Sequence, residues 1–448
     1  MRPPTEAVTY AGRVTSSDEY EIHRFRAGLN DDGTVSAETE AWLQAVNRGF
    51  HEQAFTPKTL RREAEFIAAD DRLMTGVYVD RKLPHSVGAE VPVATFTTYL
   101  STLSTGETLL PAHLISDVTV RPTHRRRGLL RRMMTESLTA ARDASLPIAA
   151  LTASEATIYG RFGFGVATQT STIELDTTSR FALPSLDRGA VGTVELARRE
   201  AVAEVADDIV ARFHTATRGS VGRQASYPAR IDGTINGHAD EPDLTVRAAL
   251  HYDVDGVPDG YVTYQHVQSR DAVAEVKVID LVATGPDSYL GLWNFVGNLD
   301  LIQRVRFSRA RIDDPLPWAM ADTRGYRVTG RDDLLWLRIL DPIACLQSRR
   351  YSGDGELSLA VEDALGFAAG TFDLGVSGGI PSVQQTATTA RPDADVTLDV
   401  ASLSSAFLGG ATIGALADAG RVRGDDDAVR QFGRMFAVDR APYCITYF

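Results

Sequence analysis

The chain has 448 residues, 44% of them hydrophobic and 23% charged, with a formal net charge of −13; this is too long for one ordinary core, so two or three domains are expected, of soluble globular composition. The acidic balance argues against bulk binding to nucleic acid or to an acidic membrane surface. Cys345 and Cys444 make no C-x-x-C pair and no zinc spacing, and are compatible with one long-range disulfide or with a reducing compartment. No run approaches the roughly 18 apolar residues of a membrane span, and the N-terminal MRPPTEAVTYAGRV lacks the apolar core of a signal peptide, so a cytoplasmic protein without membrane partners is expected.

Residues 1–12 read as a tail. Val14–Ala27 opens with a short β-like piece and continues with helical spacing, Ile22 and Phe25 being three apart. Trp42, Val46 and Phe50 form a helical stripe within Thr39–Phe50, most simply core or pocket wall. Thr56-Pro57 has the chemistry of a helix cap and first turn, and that helix runs to Ala69. Leu73–Val79, Glu90–Leu100 and Leu114–Val120 read as strands, the first two antiparallel. A helix follows Gly128 to about Ala144, then a strand from Pro147 to Thr152, a short helix from Ala156 to Phe162 and closing strands over Phe164–Glu174.

After a Thr-, Ser-, Arg- and Gly-rich seam at Leu175–Gly192, a second unit shows a strong helix over Arg198–Thr215. Strands are expected at Leu244–Asp253, Gly260–Gln265 and Glu275–Ala283, a helix at Tyr289–Leu301, and strands at Val305–Ala310 and Leu334–Leu340. The order is not unlike the first unit, so a weak internal duplication is possible. From about Pro342 the pattern changes to strands at Tyr351–Val361, Ala369–Val376 and Val396–Val400, then helices at Val400–Leu408, Ile413–Ala419 and Ala428–Phe436. The last residues, APYCITYF, carry no charged side chain and read as a buried tail or, more sharply, one inserted into another domain.

The chemistry concentrates in Ile115–Met134, ISDVTVRPTHRRRGLLRRMM. A strand, then a basic glycine-containing turn, then a helix makes an anion site, because free N–H groups and the helix dipole favour a phosphate. Arg125, Arg126, Arg127 and Gly128 supply the turn; Gly128 leaves room near the backbone, and arginine adds directional charge-assisted bonds. No Gly-Lys-Ser/Thr follows and there is no G-x-G-x-x-G, so neither a Walker loop nor a dinucleotide fingerprint is present. A solvated basic face is the bland alternative. His124 is better read as a structural or phosphate-side residue than as a base; His51, His113 and His214 have no ligand partners at useful spacing, and no metal is expected. Asp18, Glu19 and Glu21 form either an acidic lip for an amine pocket or acids favouring a helix start.

The run V-x-V-x-P-x-x-R-R-x-G, Val118 to Gly128, resembles the acetyl-coenzyme A signature of the GNAT acetyltransferases. PTHRRRGLL together with ASEATIYGRFGFG (Ala153–Gly165) is more closely similar to the Eis (enhanced intracellular survival) acetyltransferases of actinobacteria, and the resemblance covers essentially the whole chain. It implies an α+β protein: an N-terminal GNAT domain over 1–178, a central degenerate GNAT-like domain over 179–341, both of mixed, mostly antiparallel sheet with helices, and a C-terminal sterol-carrier-like domain over 342–448. It further implies acetyl-CoA as co-substrate, a homohexamer, and acetylation of primary amines of cationic substrates such as aminoglycosides, polyamines or lysine side chains. Carried over, Val118 and Val120 line the pantetheine and acetyl end; Arg125, Arg126, Gly128 and Leu129 hold the phosphates; Ser154 faces the cofactor; Tyr159 is the general acid; and the terminal carboxylate of Phe448 assists amine deprotonation. Three positions depart from the family pattern: Asp117 replaces an aromatic residue, Leu130 a small one and Tyr447 an acidic one.

The chemistry is consistent from below. A tyrosine at its ordinary pKa of about 10 is protonated at neutral pH and can donate to a leaving thiolate of pKa about 8.5. A terminal carboxylate of pKa about 3.3–3.7 is a weak direct base, so orientation or relay through water suits it better. The backbone N–H of Val120 is the natural donor to the thioester carbonyl. The competing readings are a non-catalytic regulatory or interaction protein with a relic coenzyme site, and a narrow protein or peptide N-acetyltransferase.

Overall fold

A computed structural model of the chain describes residues 19–80, 83–178, 180–184, 186, 192–237, 239–268 and 273–448. The expected tail at 1–12, the segment start at Val14, and Asp18 lie outside them.

The chain begins with β1 (Tyr20–Phe25), α1 (Ala37–Gly49), α2 (Pro57–Ala69), β2 (Leu73–Val79), β3 (Ala94–Ser104), β4 (Leu109–Val120), α3 (Leu129–Asp143) and β5 (Ile148–Thr152). The short α4 (Ala156–Tyr159), β6 (Gly165–Val166) and β7 (Gln169–Asp176) follow. The middle of the chain forms β8 (Thr193–Ala197), α5 (Arg199–Ala216), α6 (Tyr227–Ile231), β9 (Arg247–Tyr252), β10 (Pro258–Gln268), β11 (Ala274–Ala283), α7 (Pro286–Gly297), β12 (Arg304–Ala310), α8 (Leu316–Ala319), β13 (Tyr326–Asp333) and β14 (Leu335–Ile339). The last part forms α9 (Pro342–Gln347), β15 (Gly355–Glu362), β16 (Gly370–Ser377), β17 (Ile380–Ala387), β18 (Val396–Asp399), α10 (Val400–Phe407), α11 (Ile413–Asp418), β19 (Val422–Gly424) and α12 (Asp426–Phe436).

The described strands form three sheets, ordered β1-β2-β3-β4-β5-β14-β6, β13-β7-β12-β11-β10-β9-β8 and β17-β16-β15-β18-β19. Each has a single parallel pair, β4 with β5, β11 with β12, and β15 with β18. The first two pairs are bridged by α3 and α7, so the suspected duplication is visible as two copies of one strand–helix–strand unit. The expected cuts at 178 and 341 do not follow the sheets. β7 leaves the first unit to pair with β12 and β13, while β14 returns to lie between β5 and β6.

Burial on both faces explains why β5 is apolar up to Thr152 and β14 is apolar but for Arg338. Ile115, Ala149, Leu151 and Trp336 pack toward α3, whereas Leu114, Ile148, Ala150, Leu335 and Leu337 join Leu403, Phe407, Phe432 and Met435 of the last unit in one core. The first sheet is therefore covered on both faces.

Thr56 caps α2 by accepting from the N–H of Thr59, and Pro57 sits in its first turn, as the sequence implies. The helical spacing expected around Ile22 and Phe25 is not realised: both lie in β1, antiparallel to β2, with only Ile22 fully buried. Cys345 and Cys444 are both free thiols and buried, not a disulfide. No helix of the described residues is long and apolar enough to cross a membrane.

Candidate active site

The site begins where two strands part. β4 pairs with β5 from Ala112↔Ile148 to Ile115↔Leu151 and then diverges. On its other edge β4 is bulged: its register with β3 shifts between Thr95 and Thr97, and Asp117 takes a left-handed φ of 52°. The Thr95 hydroxyl pins the bulge by donating to the Asp117 carbonyl at 2.8 Å. Beyond it the Arg121 N–H donates to the Val93 carbonyl at 2.7 Å. Main-chain groups alternate in an antiparallel ladder, so the N–H of Val120 faces away from β3, toward the gap that β5 has left.

The gap leads to the start of α3. A short 3₁₀ turn, Pro122–His124, precedes Arg126 and Gly128 at φ of 63° and 78°, and Gly128 is the N-cap. No side chain caps the helix, so its first N–H groups, that of Leu129 among them, have no intrahelical partner. A Cβ on Gly128 would meet nothing within 4 Å, so the glycine serves the left-handed turn and not the relief of a crowded contact. Arg125 and Arg126 are exposed, whereas Arg127 is turned away, donating to the Tyr20 hydroxyl at 2.7 Å and pairing with Glu19 at 3.3 Å. The Leu129 side chain is buried and Leu130 packs partly into the core, leaving only their main chain for a ligand. Two guanidiniums without a partner among the described residues, over an uncapped helix start, fit a pyrophosphate.

At the other end lies a cavity of about 650 Å³. Val118, Ser154, Tyr159 and Phe448, distant in sequence, all line it; Val120, Arg125, Arg126, Gly128 and Leu129 lie outside it, along the gap. Tyr159 closes α4 with its ring edge-to-face on Phe164 at 6.2 Å. Burial, with smaller contributions from Tyr447 and Glu155, pushes its phenol up to about 12. Trp42 is 1% exposed and forms part of the wall, held by its indole N–H on the Thr75 carbonyl at 2.8 Å.

The C-terminal segment enters between the first and second units. The Tyr443 N–H donates to the Arg218 carbonyl at 2.8 Å, the Tyr227 hydroxyl donates to the Ile445 carbonyl at 3.0 Å, and Arg309 reaches that carbonyl at 3.1 Å. Gln224 then holds the Tyr447 carbonyl at 3.1 Å. The Thr152 hydroxyl, one residue past the last β4–β5 pair, donates to a main-chain oxygen of Phe448, whose ring stands edge-on to Tyr99 at 6.1 Å.

Sequence reasoning missed the charged wall, on which Glu63 pairs with Arg230 at 3.3 Å. Glu52 and Glu63 line the cavity with Asp117, while Glu19 is engaged by Arg127 and Glu21 by His23 at 3.1 Å, so neither of these described acids forms the pocket lip. It also missed the contribution of the second unit: Gln224, Tyr227, Arg230, Ile279 and Arg309 all face the cavity. The apolar uncharged tail was the one available signal, because a segment that threads between domains must be able to be buried.

Comparison with known proteins agrees with this layout. Residues 34–167 and 219–339 match two models of an acetyltransferase (GNAT) domain, and residues 343–445 match a sterol carrier protein domain. The chain is 34% identical over 399 residues to an uncharacterized N-acetyltransferase of Streptomyces avermitilis, covering 87% of this chain and 91% of that one. It is 35% identical over 340 residues to N-acetyltransferase Eis of Mycobacterium tuberculosis, covering 75% and 80%. Among solved structures, Eis1 from Mycobacterium abscessus superposes with a TM-score of 0.70 at 29% identity, covering 84% of this chain and 91% of that one. A probable N-acyltransferase from Enterococcus faecalis reaches 0.74 at 18% identity, covering 96% and 100%, and speaks to the fold alone. The strand parting with its uncapped helix, the repeated unit, the sterol-carrier-like end and this likeness over most of the length place the chain in the Eis-type N-acetyltransferase family of the GNAT superfamily, enzymes that use acetyl-CoA as acyl donor.

Proposed function

We propose that the chain transfers acetyl directly to a primary amine of a small cationic acceptor, of aminoglycoside, polyamine or lysine-side-chain type. The observation that carries this reading is the cavity in which Tyr159, Phe448 and the parted strands meet, its wall bearing Glu52, Glu63 and Asp117 alongside Arg72, Arg230 and Arg309.

Acetyl-CoA, when bound, supplies the activated acetyl group. Arg125, Arg126 and the main-chain N–H groups of Gly128 and Leu129 hold its phosphates, Val118 and Val120 flank its arm, and Ser154 stands at the lip of β5. The Val120 N–H donates to the carbonyl oxygen, where negative charge develops. Tyr159 donates from its hydroxyl toward the departing sulfur. The carboxylate at Phe448, steadied by Thr152, orients the amine and assists the loss of its proton. Homohexameric assembly and a cytoplasmic setting belong to the same reading, the first to be checked by analytical ultracentrifugation.

Thiol release from acetyl-CoA, followed against diamines, aminoglycosides and lysine peptides, tests the reading. Turnover with multiply charged small amines supports it. Turnover with peptides alone would replace it with a protein acetyltransferase, and no turnover with any amine would sink it. Extending the chain past Phe448 should reduce turnover at least tenfold with acetyl-CoA affinity within twofold; normal turnover would remove Phe448 from the mechanism.

A further inference from the structure

Asp117 is an unusual residue on three independent counts. It adopts φ of 52° within a strand, a conformation a non-glycine residue holds only when its surroundings impose it. It lies two residues past Ile115, where β4 and β5 separate; had the pairing continued, it would face position 153, next to the Thr152 that holds Phe448. Asp117 lines the cavity, its side chain 25% exposed. Its ion-pair partner is Arg72, whose Nη1 stands 3.8 Å from the carboxylate while Nη2 holds Asp70 at 2.7 Å. Among the described residues its side chain has no hydrogen-bond partner, although its own carbonyl is held by Thr95. A partly exposed carboxylate at a strand bulge, held by one 3.8 Å ion pair and no side-chain hydrogen bond among the described residues and lining a cavity, has room to accept a second cation.

Resting on the function proposed above, we infer that Asp117 binds the reacting ammonium of the acceptor and takes the proton it must lose before attack. The proton balance closes around it: an ammonium and a thioester give an amide, a thiol and one proton. The C–N bond forms as the C–S bond breaks, the nitrogen's first proton passes to Asp117 and on to solvent, and its second goes to the departing sulfur, whose developing charge Tyr159 stabilises with a hydrogen bond. Burial raises the Asp117 pKa, an effect opposed by Arg72 and Arg230 and reinforced by Glu63. Glu52, Tyr159, Tyr227, Arg309, Tyr447 and Phe448 line the same cavity.

Asp117→Asn keeps the size and tolerates the left-handed backbone while removing the charge. With spermidine as acceptor, its kcat/KM should fall about 100-fold while the dissociation constant for acetyl-CoA, measured by calorimetry, stays within twofold. The wild type should show a plateau in kcat/KM above the carboxylate pKa, whereas the variant should rise with a slope of one toward the amine's own pKa, because only pre-formed neutral amine reacts. A retained plateau overturns the inference. If Asp117→Asn fails to bind acetyl-CoA, Asp117→Ser is measured in the same way, and a collapse of cofactor binding in both assigns the residue a structural role and overturns it too. Wild-type enzyme that acetylates no amine refutes the proposed function itself, whereas equal profiles for wild type and variant refute only the role of Asp117.

Discussion

At the scale of single residues, burial decides how the titratable groups can act. Tyr159, pushed up to about 12, keeps its proton throughout the range in which the enzyme can be assayed. Complete transfer to a thiolate of ordinary pKa about 8.5 is uphill, so Tyr159 acts best as a hydrogen-bond donor to developing charge. Tyr159→Phe should lower kcat about 100-fold with the KM for acetyl-CoA nearly unchanged, and the wild-type pH profile should show no alkaline loss from this residue below pH 11. Equal loss in kcat and cofactor binding would instead make Tyr159 a packing residue. His113 and His214 tell the opposite story. Both are buried and held neutral, His113 against Ser137 at 2.8 Å and His214 between Thr102 and Ser220, and burial lowers each to about 4. A depressed histidine stabilises the fold fully above its unfolded pKa of about 6.5, and that stability disappears as pH falls toward 4, by about 3 kcal/mol per residue at most. Urea unfolding of the wild type from pH 7 to 4 should therefore show a fall that His214→Gln reduces. The Arg125–Gly128 turn and Tyr159 could be singled out as candidates because motif and spacing are local. Glu52, Glu63 and Arg309 could not, since nothing in their own segments reveals that they converge.

At the scale of elements, the helices with clear start signals matched them closely: α2, α3 and α10 begin within a residue or so of where those signals place them. β1 and β13 did not. β1 buries one residue fully and β13 none, so neither shows a legible alternation, and both are strands because a neighbour offers an edge. Two junctions bear most on the last unit's attachment to the first sheet. A Cβ on Gly165 in β6 would lie 2.0 Å from the Ala401 carbonyl of α10 and 2.4 Å from the Ser405 hydroxyl. Gly165→Ala should destabilise by about 1–3 kcal/mol, measured as a lower denaturation midpoint, because backbone and not a flexible side chain must move. Nearby, Arg338 of β14 is fully buried, with Nη2 on Asp363 at 2.7 Å and Nε on the Phe162 carbonyl at 2.6 Å. Asp363→Ala leaves that guanidinium without its anion and should cost about 3–5 kcal/mol, whereas the double replacement Arg338→Met with Asp363→Leu should recover much of it. Equal losses in the single and double variants would exclude an uncompensated charge as the cause.

At the scale of the whole molecule, the three units do not divide as beads on a string. β7 and β14 cross between the first two sheets, the first sheet shares a core with the last unit, and the final residues lie between the first two. Calorimetry should give one cooperative transition, and a fragment of residues 1–178 should lack near-ultraviolet dichroism, since it has no β14 to bridge β5 and β6. Three separate transitions, or a natively folded fragment, would contradict this. The kinds of unit were readable from pattern and resemblance, but the exchange of strands was not, because a strand's own sequence does not say which sheet receives it.

The position of β14 also matters while the protein is being made. A ribosome that has just completed β6 must still synthesise all of the second unit before residues 335–339 emerge. At about 5–20 residues per second this is on the order of ten seconds or more. Through that interval Ile148–Thr152 has an unfilled apolar edge, the kind of edge that recruits strands from other chains. The nascent protein therefore passes through a vulnerable stage that the finished fold conceals, and crowding on polysomes, more than the stability of the native state, should limit its yield.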